Sequence, residues 1–131
     1  MLLEPLMDKP ILIVDDSAAM RAVTKMALAH LGLPIIEASN GAQALSTMQA
    51  TPPALVISDI NMPGISGIEL LRQMKVDHQL RHIPMLMLTT EGSQTELAQG
   101  RALGATAWMV KPFTVDSLLA LVQKILKLSV D

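Results

Sequence analysis

Polar residues with reactive or metal-binding side chains follow four separate apolar segments of this 131-residue sequence. They are two adjacent carboxylates, a third carboxylate, a hydroxyl and an ammonium group, at Asp15, Asp16, Asp59, Thr89 and Lys111. A single aspartate after a strand is more often a helix cap or a loop residue. The repetition of this placement after four segments is what indicates one shared site.

Three carboxylates in one place repel one another. Two unit charges about 4 Å apart interact by ~4 kcal/mol at an effective dielectric near 20, and one lysine cannot neutralise three acids. A hard divalent cation relieves this repulsion, and Mg²⁺ typically binds carboxylates together with water and phosphate oxygens. Thr89 and Lys111 can both donate hydrogen bonds to a phosphoryl group. The residues therefore predict a Mg²⁺-dependent phosphoryl site with an aspartate acceptor.

These residues can meet only if the apolar segments form one parallel sheet. Stretches of helical periodicity alternate with five short apolar segments, at 11–14, 35–38, 55–57, 85–88 and 107–110. This alternation predicts an α/β fold with a parallel sheet and helices on both faces, whose ligands bind at the carboxyl ends of the strands. Glu37 in the second segment predicts an exposed edge strand.

Apolar residues at steps of three and four predict the buried faces of the helices. In the first helical stretch these residues are Met20, Val23, Ala27 and Leu31, and in the fifth they are Leu118, Leu121, Val122 and Ile125. Leu119 and Leu126 lie off the second of these faces. We expect them to form an apolar patch that binds a partner, with ordinary surface leucines as the alternative.

The composition excludes several classes of protein. Half of the residues are hydrophobic, the net charge is −2, cysteine is absent, and the aromatic residues are Trp108 and Phe113 alone. A disulfide scaffold and a cysteine-ligated zinc site are thus excluded. A nucleic-acid-binding domain would show a basic face and stacking aromatics. No signal segment or membrane span is evident, so we expect a cytoplasmic protein that binds neither nucleic acid nor membrane.

The motifs resemble the receiver domain of two-component response regulators, most closely the single-domain, CheY-like chemotaxis type. The similar segments are ILIVDDSAAMR at 11–21, LVISDINMPGISGIELL at 55–71, MLMLTTEG at 85–92 and GATAWMVKPF at 104–113. The resemblance implies a flavodoxin-like, doubly wound sheet of five parallel strands in the order 2-1-3-4-5 with five helices. We expect residues 1–9 to be an N-terminal tail and residues 10–129 to be the receiver domain.

The resemblance also implies a role for each site residue. Asp59 corresponds to the phosphoacceptor and Lys111 to the lysine that pairs with the phosphoryl oxygens. Asp16 and Asp59 correspond to direct Mg²⁺ ligands, and Asp15 to a ligand that acts through water. Asn61 supplies a backbone carbonyl to the metal in this scheme. The Lys111–Pro112 bond is expected to be cis, as it is in the family.

Switching and the lifetime of the phosphorylated state are likewise implied by the resemblance. Thr89 corresponds to the switch hydroxyl and Trp108 to the switch aromatic, where family members often have Tyr or Phe. Asn61 and Glu91 correspond to positions that control the access of water to the acyl phosphate, so we expect a short-lived phosphorylated state. The expected partners are a histidine kinase and a downstream protein, such as a flagellar motor, a kinase or a phosphatase.

Two alternative functions remain open at this point. A haloacid-dehalogenase-like Mg²⁺ phosphatase also uses an aspartate nucleophile with a Thr or Ser and a Lys. Its acids follow the first strand as D-x-D, whereas Asp15 and Asp16 are adjacent here. A pseudo-receiver would bind partners without accepting phosphate, although the intact Asp59 and Lys111 argue against it. A receiver with no following output domain is expected to be a protein-binding signal carrier and not an enzyme.

Overall fold

Five parallel strands form a single sheet in this computed structural model, which describes residues 9–90 and 94–130. The strands are β1 (Ile11–Val14), β2 (Ile35–Ala38), β3 (Leu55–Asp59), β4 (Met85–Thr89) and β5 (Ala107–Val110). They pair in the order β2-β1-β3-β4-β5, with every pairing parallel. The predicted strand order and fold class are therefore confirmed, and Glu37 lies on an edge strand as expected.

Within the described residues, four α-helices connect consecutive strands and a fifth follows β5. They are α1 (Ala18–Leu28), α2 (Gly41–Ala50), α3 (Gly67–Lys75), α4 (Gln94–Leu103) and α5 (Val115–Val130). A short 3-10 segment, Ala29–Leu31, follows α1. The side chains of Ser17 and Ser66 accept hydrogen bonds from backbone N–H groups in the first turns of α1 and α3, which fixes where these helices begin. No helix among the described residues is long and apolar enough to span a membrane.

The sheet has an apolar core on each face, because neighbouring strand residues point to opposite sides. Leu12 and Val14 pack with α2 and α3 on one face, whereas Ile11 and Ile13 pack with α1 and α5 on the other. All four residues of β1 are buried, as expected for a strand that is covered on both faces.

Two predicted helix faces are wrong in part. On α1 the buried residues are Thr24, Ala27 and Leu28, while Val23 is 49% exposed. The Thr24 hydroxyl donates to the Met20 carbonyl, which lets this polar side chain face the core. On α5, Leu126 is completely buried and Leu119 packs against the same core, so the predicted apolar patch at these residues does not exist.

Gly67 at the start of α3 packs directly against the end of β3. Its N–H donates to the Ile60 carbonyl at 2.8 Å. A Cβ atom at this position would overlap the Asp59 carbonyl oxygen and lie 2.9 Å from the Ile60 Cα. Both neighbours are backbone atoms that cannot rotate away. The close approach of α3 to the strand that carries Asp59 therefore requires glycine.

We expect Gly67→Ala to lower the free energy of unfolding by about 1–3 kcal/mol, the usual cost of overpacking. Gly100→Ala is the matched control, since its Cβ would meet side-chain atoms and no backbone atom. The tightest contact would be with the Met87 Sδ, at 3.1 Å on a flexible side chain, while Ile68 Cδ1 and Ala105 Cβ would lie at 3.5 and 3.9 Å. That variant gains helix propensity of up to ~1 kcal/mol and should unfold at the same or a slightly higher urea concentration. Identical urea midpoints for Gly67→Ala and the unmodified protein would contradict the packing argument.

Candidate functional site

Three strand ends bring the predicted site residues together at the carboxyl edge of the sheet. Asp15 follows β1, and its N–H donates to the Ala38 carbonyl. Asp59 is itself the last residue of β3 and pairs with Leu88 in register. Lys111 follows β5, where its N–H donates to the Thr89 carbonyl at 2.7 Å. The sheet ladder thus positions the backbone of each reactive residue.

One ammonium group serves more than one carboxylate in this cluster. The Lys111 Nζ lies 3.0 Å from the Asp59 Oδ2 and 3.9 Å from the Asp15 Oδ2. Asp15, Asp16 and Asp59 each contribute an oxygen, and these oxygens all lie within 4.8 Å of one another. Asp15 is buried and Asp16 is exposed, so the cluster opens to solvent on the Asp16 side.

Burial raises the pKa of the Asp15 carboxyl above its ordinary value, and the neighbouring charge of Asp59 adds to this effect. The Ser17 N–H, which donates to the Asp15 Oδ1 at 2.9 Å, and the Lys111 ammonium both act in the opposite direction. Asp16 contributes a smaller upward shift of the pKa. The raised pKa of Asp15 thus reflects mainly its burial, which the Ser17 N–H and the Lys111 ammonium do not fully offset.

The donor set of this cluster fits a hard divalent cation. All three side chains offer carboxylate oxygens, and they converge closely enough to share one ion. A bound cation would also balance the negative charge that remains when one lysine faces three carboxylates. The oxygen-only set argues against a zinc site, which favours nitrogen and sulfur ligands.

Several residues that support the acids had no predicted role. The Arg21 Nη1 donates to the Asp15 carbonyl at 2.6 Å, and its Nε donates to Glu37 at 3.1 Å. The buried Ser58 hydroxyl donates to the Asp59 carbonyl at 2.9 Å. Arg21 and Ser58 lie within the motifs, but their residue types alone did not indicate these contacts.

The predicted switch residues lie on the two strands farthest from β2. Thr89 is the last residue of β4 and is completely buried, and its hydroxyl donates to the Thr90 carbonyl at 3.2 Å. Trp108 lies on β5 opposite Met87 and packs, half-buried, against the core that contains α3. Met87 and Thr89 are two residues apart on one strand and therefore point to the same face of the sheet.

The remaining predicted site features are Asn61, Glu91 and the Lys111–Pro112 peptide bond. Asn61 lies two residues after the end of β3 and is exposed. The Lys111–Pro112 peptide bond is cis, as predicted. Glu91, the second residue expected to control phosphate lifetime, lies outside the described residues.

Comparison with known proteins identifies the family at this point. The model of the response regulator receiver domain matches residues 11–123. The chain belongs to this family. It is 38% identical to chemotaxis protein CheY of Pseudomonas aeruginosa over 88% of its own length and 94% of that protein. Its fold matches the structure of chemotaxis protein CheY4 of Vibrio cholerae with a TM-score of 0.83 and 36% identity, over 90% of this chain and 98% of that one.

A second kind of relative carries the same domain within a longer protein. The phosphate regulon transcriptional regulatory protein PhoB of P. aeruginosa is 39% identical over 91% of this chain, which spans 52% of PhoB. Receiver domains of this family act in two-component phosphorylation signalling. The similarity to CheY extends over nearly the full length of that relative, whereas the similarity to PhoB extends over half of it.

The raised pKa of Asp15 yields a stability prediction. Because the pKa of Asp15 is raised in the folded state, that state binds the proton more tightly than the unfolded chain does. Ionisation of Asp15 therefore costs stability at neutral pH, and this cost disappears as the pH falls below the ordinary carboxyl range. In the presence of a chelator, Asp15→Asn should raise the free energy of unfolding at neutral pH, since its amide oxygen can still accept from the Ser17 N–H.

Urea unfolding at neutral pH and near pH ~4 tests this prediction, because an ordinary Asp side chain titrates at about 3.9. The advantage of Asp15→Asn should shrink at the lower pH. Asp116→Asn, at an exposed aspartate in the first turn of α5, is the control and should give no gain in stability. A variant less stable than the unmodified protein at neutral pH would show that ionised Asp15 is net stabilising.

Proposed function

We propose that this protein accepts a phosphoryl group on Asp59 from a histidine kinase and passes the signal on by binding another protein. The observation that carries this proposal is the contact of the Lys111 ammonium with the Asp59 carboxylate, at 3.0 Å, beside the carboxylates of Asp15 and Asp16. In the proposal, Asp59 is the nucleophile, Lys111 is the cation that pairs with the incoming oxygens, and the three carboxylates are metal ligands at one open edge.

The chain's own residues divide the chemistry among them. A carboxylate oxygen of Asp59 attacks the phosphorus of a phosphohistidine, forming an O–P bond while the N–P bond breaks and the imidazole leaves. Lys111 then pairs with the phosphoryl oxygens and offsets their charge. Asp16, Asp59 and the Asn61 carbonyl would hold Mg²⁺ directly, and Asp15 through water. Mg²⁺ supplies positive charge for the transferring group when it is bound.

The switch that we propose connects this site to the surface formed by α4, β5 and α5. The Thr89 hydroxyl turns from the Thr90 carbonyl toward the new phosphoryl oxygens, and the space that it leaves allows Trp108 to rotate inward. The Lys111 N–H donates to the Thr89 carbonyl, so the two residues are neighbours at the carboxyl edge of the sheet, which supports this step. The altered surface then binds the downstream partner.

A role in chemotaxis or a related phosphorelay is the finer part of the proposal. It is supported by the names of the CheY relatives and by the match over most of their length.

Asn61 is the described residue expected to admit water to the acyl phosphate, and we propose a phosphorylated state that decays well within hours. A haloacid-dehalogenase-like phosphatase is not favoured by the family match.

Intact-mass measurement tests the phosphoacceptor. After incubation with acetyl phosphate and Mg²⁺, we expect an adduct of about 80 Da, the mass that one phosphoryl group adds. The adduct should disappear in Asp59→Asn and with chelator, and it should persist in the control Asp116→Asn. Modification that survives in Asp59→Asn would contradict the assignment, and no adduct on the unmodified protein would favour the pseudo-receiver. Sustained turnover of phosphate esters would favour the phosphatase.

The single tryptophan of the sequence reports on the switch. If Trp108 rotates inward when Asp59 is phosphorylated, its environment becomes less polar and its emission should shift to shorter wavelength. Emission spectra recorded at confirmed stoichiometric modification provide the measurement, with Asp59→Asn as the control that should not respond. A spectrum that is unchanged upon modification would remove Trp108 from the switch.

A further inference from the structure

Arg101 of α4 lies over the indole ring of Trp108. The Arg101 Cζ is 5.0 Å from the ring centroid, within the range of a cation–π contact, and tryptophan is the aromatic residue that binds cations best. Arg101 is exposed, and within the described residues its guanidinium forms no ion pair or hydrogen bond that would hold it elsewhere. The ring is therefore the contact that orients this side chain.

The same turn of α4 also contacts the strand beside Trp108. Gly100 lies so close to β4 that a Cβ atom would be 3.1 Å from the Met87 Sδ, and Met87 is the residue opposite Trp108. Gly100 and Arg101, two consecutive residues of α4, thus lie close to Met87 and Trp108, which are paired in the sheet. Because Arg101 is exposed, a rotation of Trp108 toward the buried core would carry the ring away from the guanidinium.

We propose that Arg101 is a positioning residue that holds Trp108 in its present orientation and opposes its inward rotation. The cation–π contact joins α4 to β5 and favours the unphosphorylated arrangement. The first part of this inference is independent of phosphorylation, and the second part, the opposition to switching, rests on the proposed function. Removing the guanidinium should make the switch easier to operate.

Tryptophan fluorescence of the unphosphorylated protein tests the first part. Arg101→Ala and Arg101→Met should both change the emission maximum and increase quenching by acrylamide, whereas Arg101→Lys should retain much of the protection because it keeps the cation. Arg101→Met removes the positive charge but keeps an apolar side chain over the Trp108 ring. It therefore distinguishes the effect of the charge from the effect of shielding the ring from solvent. Arg72→Ala, at an exposed arginine of α3 that pairs with Glu69, is the control and should match the unmodified protein.

Two results would overturn the first part. One is a spectrum and quenching of Arg101→Ala identical to those of the unmodified protein. The other is equal protection by Arg101→Met and Arg101→Lys, which would show that coverage and not charge holds the ring. Urea unfolding of each variant, with an expected change within the small range of a surface substitution, verifies that the folded protein is being compared.

Phosphorylation with acetyl phosphate and Mg²⁺ tests the second part. A surface cation–π contact is worth about a two- to five-fold change in an equilibrium constant, so Arg101→Ala should reach half-maximal modification at a two- to five-fold lower acetyl phosphate concentration. Arg101→Lys should lie between Arg101→Ala and the unmodified protein. Equal half-maximal concentrations for all variants would overturn the coupling. No adduct on any variant would overturn it together with the proposed function, while the fluorescence result would still decide the Arg101 contact.

Discussion

Three carboxylates and one ammonium group share the carboxyl edge of the sheet, and this unbalanced charge is the constraint on which the site depends. A parallel sheet brings the carboxyl ends of its strands to the same edge. The acids that follow β1 and the acid that ends β3 are therefore held close together. Burial adds to the free-energy cost of ionising Asp15, since desolvation penalises its charged form. In the proposed function the same edge binds a cation and a phosphoryl group, and the positive charge of the cation would offset this cost.

Several contacts outside the acid cluster hold the backbone on which the acids are carried. Arg21 ties the Asp15 carbonyl to Glu37 of the edge strand, and Ser17 donates to the Asp15 carboxylate. Gly67 brings α3 against the Asp59 carbonyl, which the Ser58 hydroxyl also contacts. These contacts fix the direction in which each carboxylate leaves its strand. Precise placement of this kind matters because phosphoryl transfer depends mainly on positioning and charge.

A continuous set of contacts leads from the acids to α4. Lys111 bonds through its backbone to Thr89, Met87 precedes Thr89 on the same face of β4, and Trp108 is paired with Met87. Gly100 and Arg101 then connect this pair to the helix. These residues are neighbours through a backbone hydrogen bond, strand pairing or a side-chain contact. The proposed phosphorylation of Asp59 would therefore have a contiguous set of residues linking it to the surface formed by α4, β5 and α5.

Much of the fold and of the candidate site could be predicted from residue type and order. The strand segments were recognisable because buried parallel strands are almost wholly apolar, and the five polar site residues were recognisable because each follows such a segment. The strand ends were less predictable. β3 and β4 continue to Asp59 and Thr89, because ladder pairing with Leu88 and Val110 includes these polar residues in the sheet. A strand end predicted from hydrophobicity alone falls before Asp59 and Thr89, because both side chains are polar.

The sequence by itself determined the alternation of strands and helices, the meeting of Asp15, Asp16, Asp59, Thr89 and Lys111 at one edge, and the family motifs. Only the tertiary structure decided which neighbouring residues face the core. A period of 3.6 does not separate Val23 from Thr24 as the residue that faces inward on α1. In the structure Thr24 is buried, and its hydroxyl is satisfied by the Met20 carbonyl. Likewise, Leu126 joined the core, and Arg101 met Trp108 across a turn. Contacts between elements depend on how the elements are rotated against one another, and periodicity within one element carries no such information.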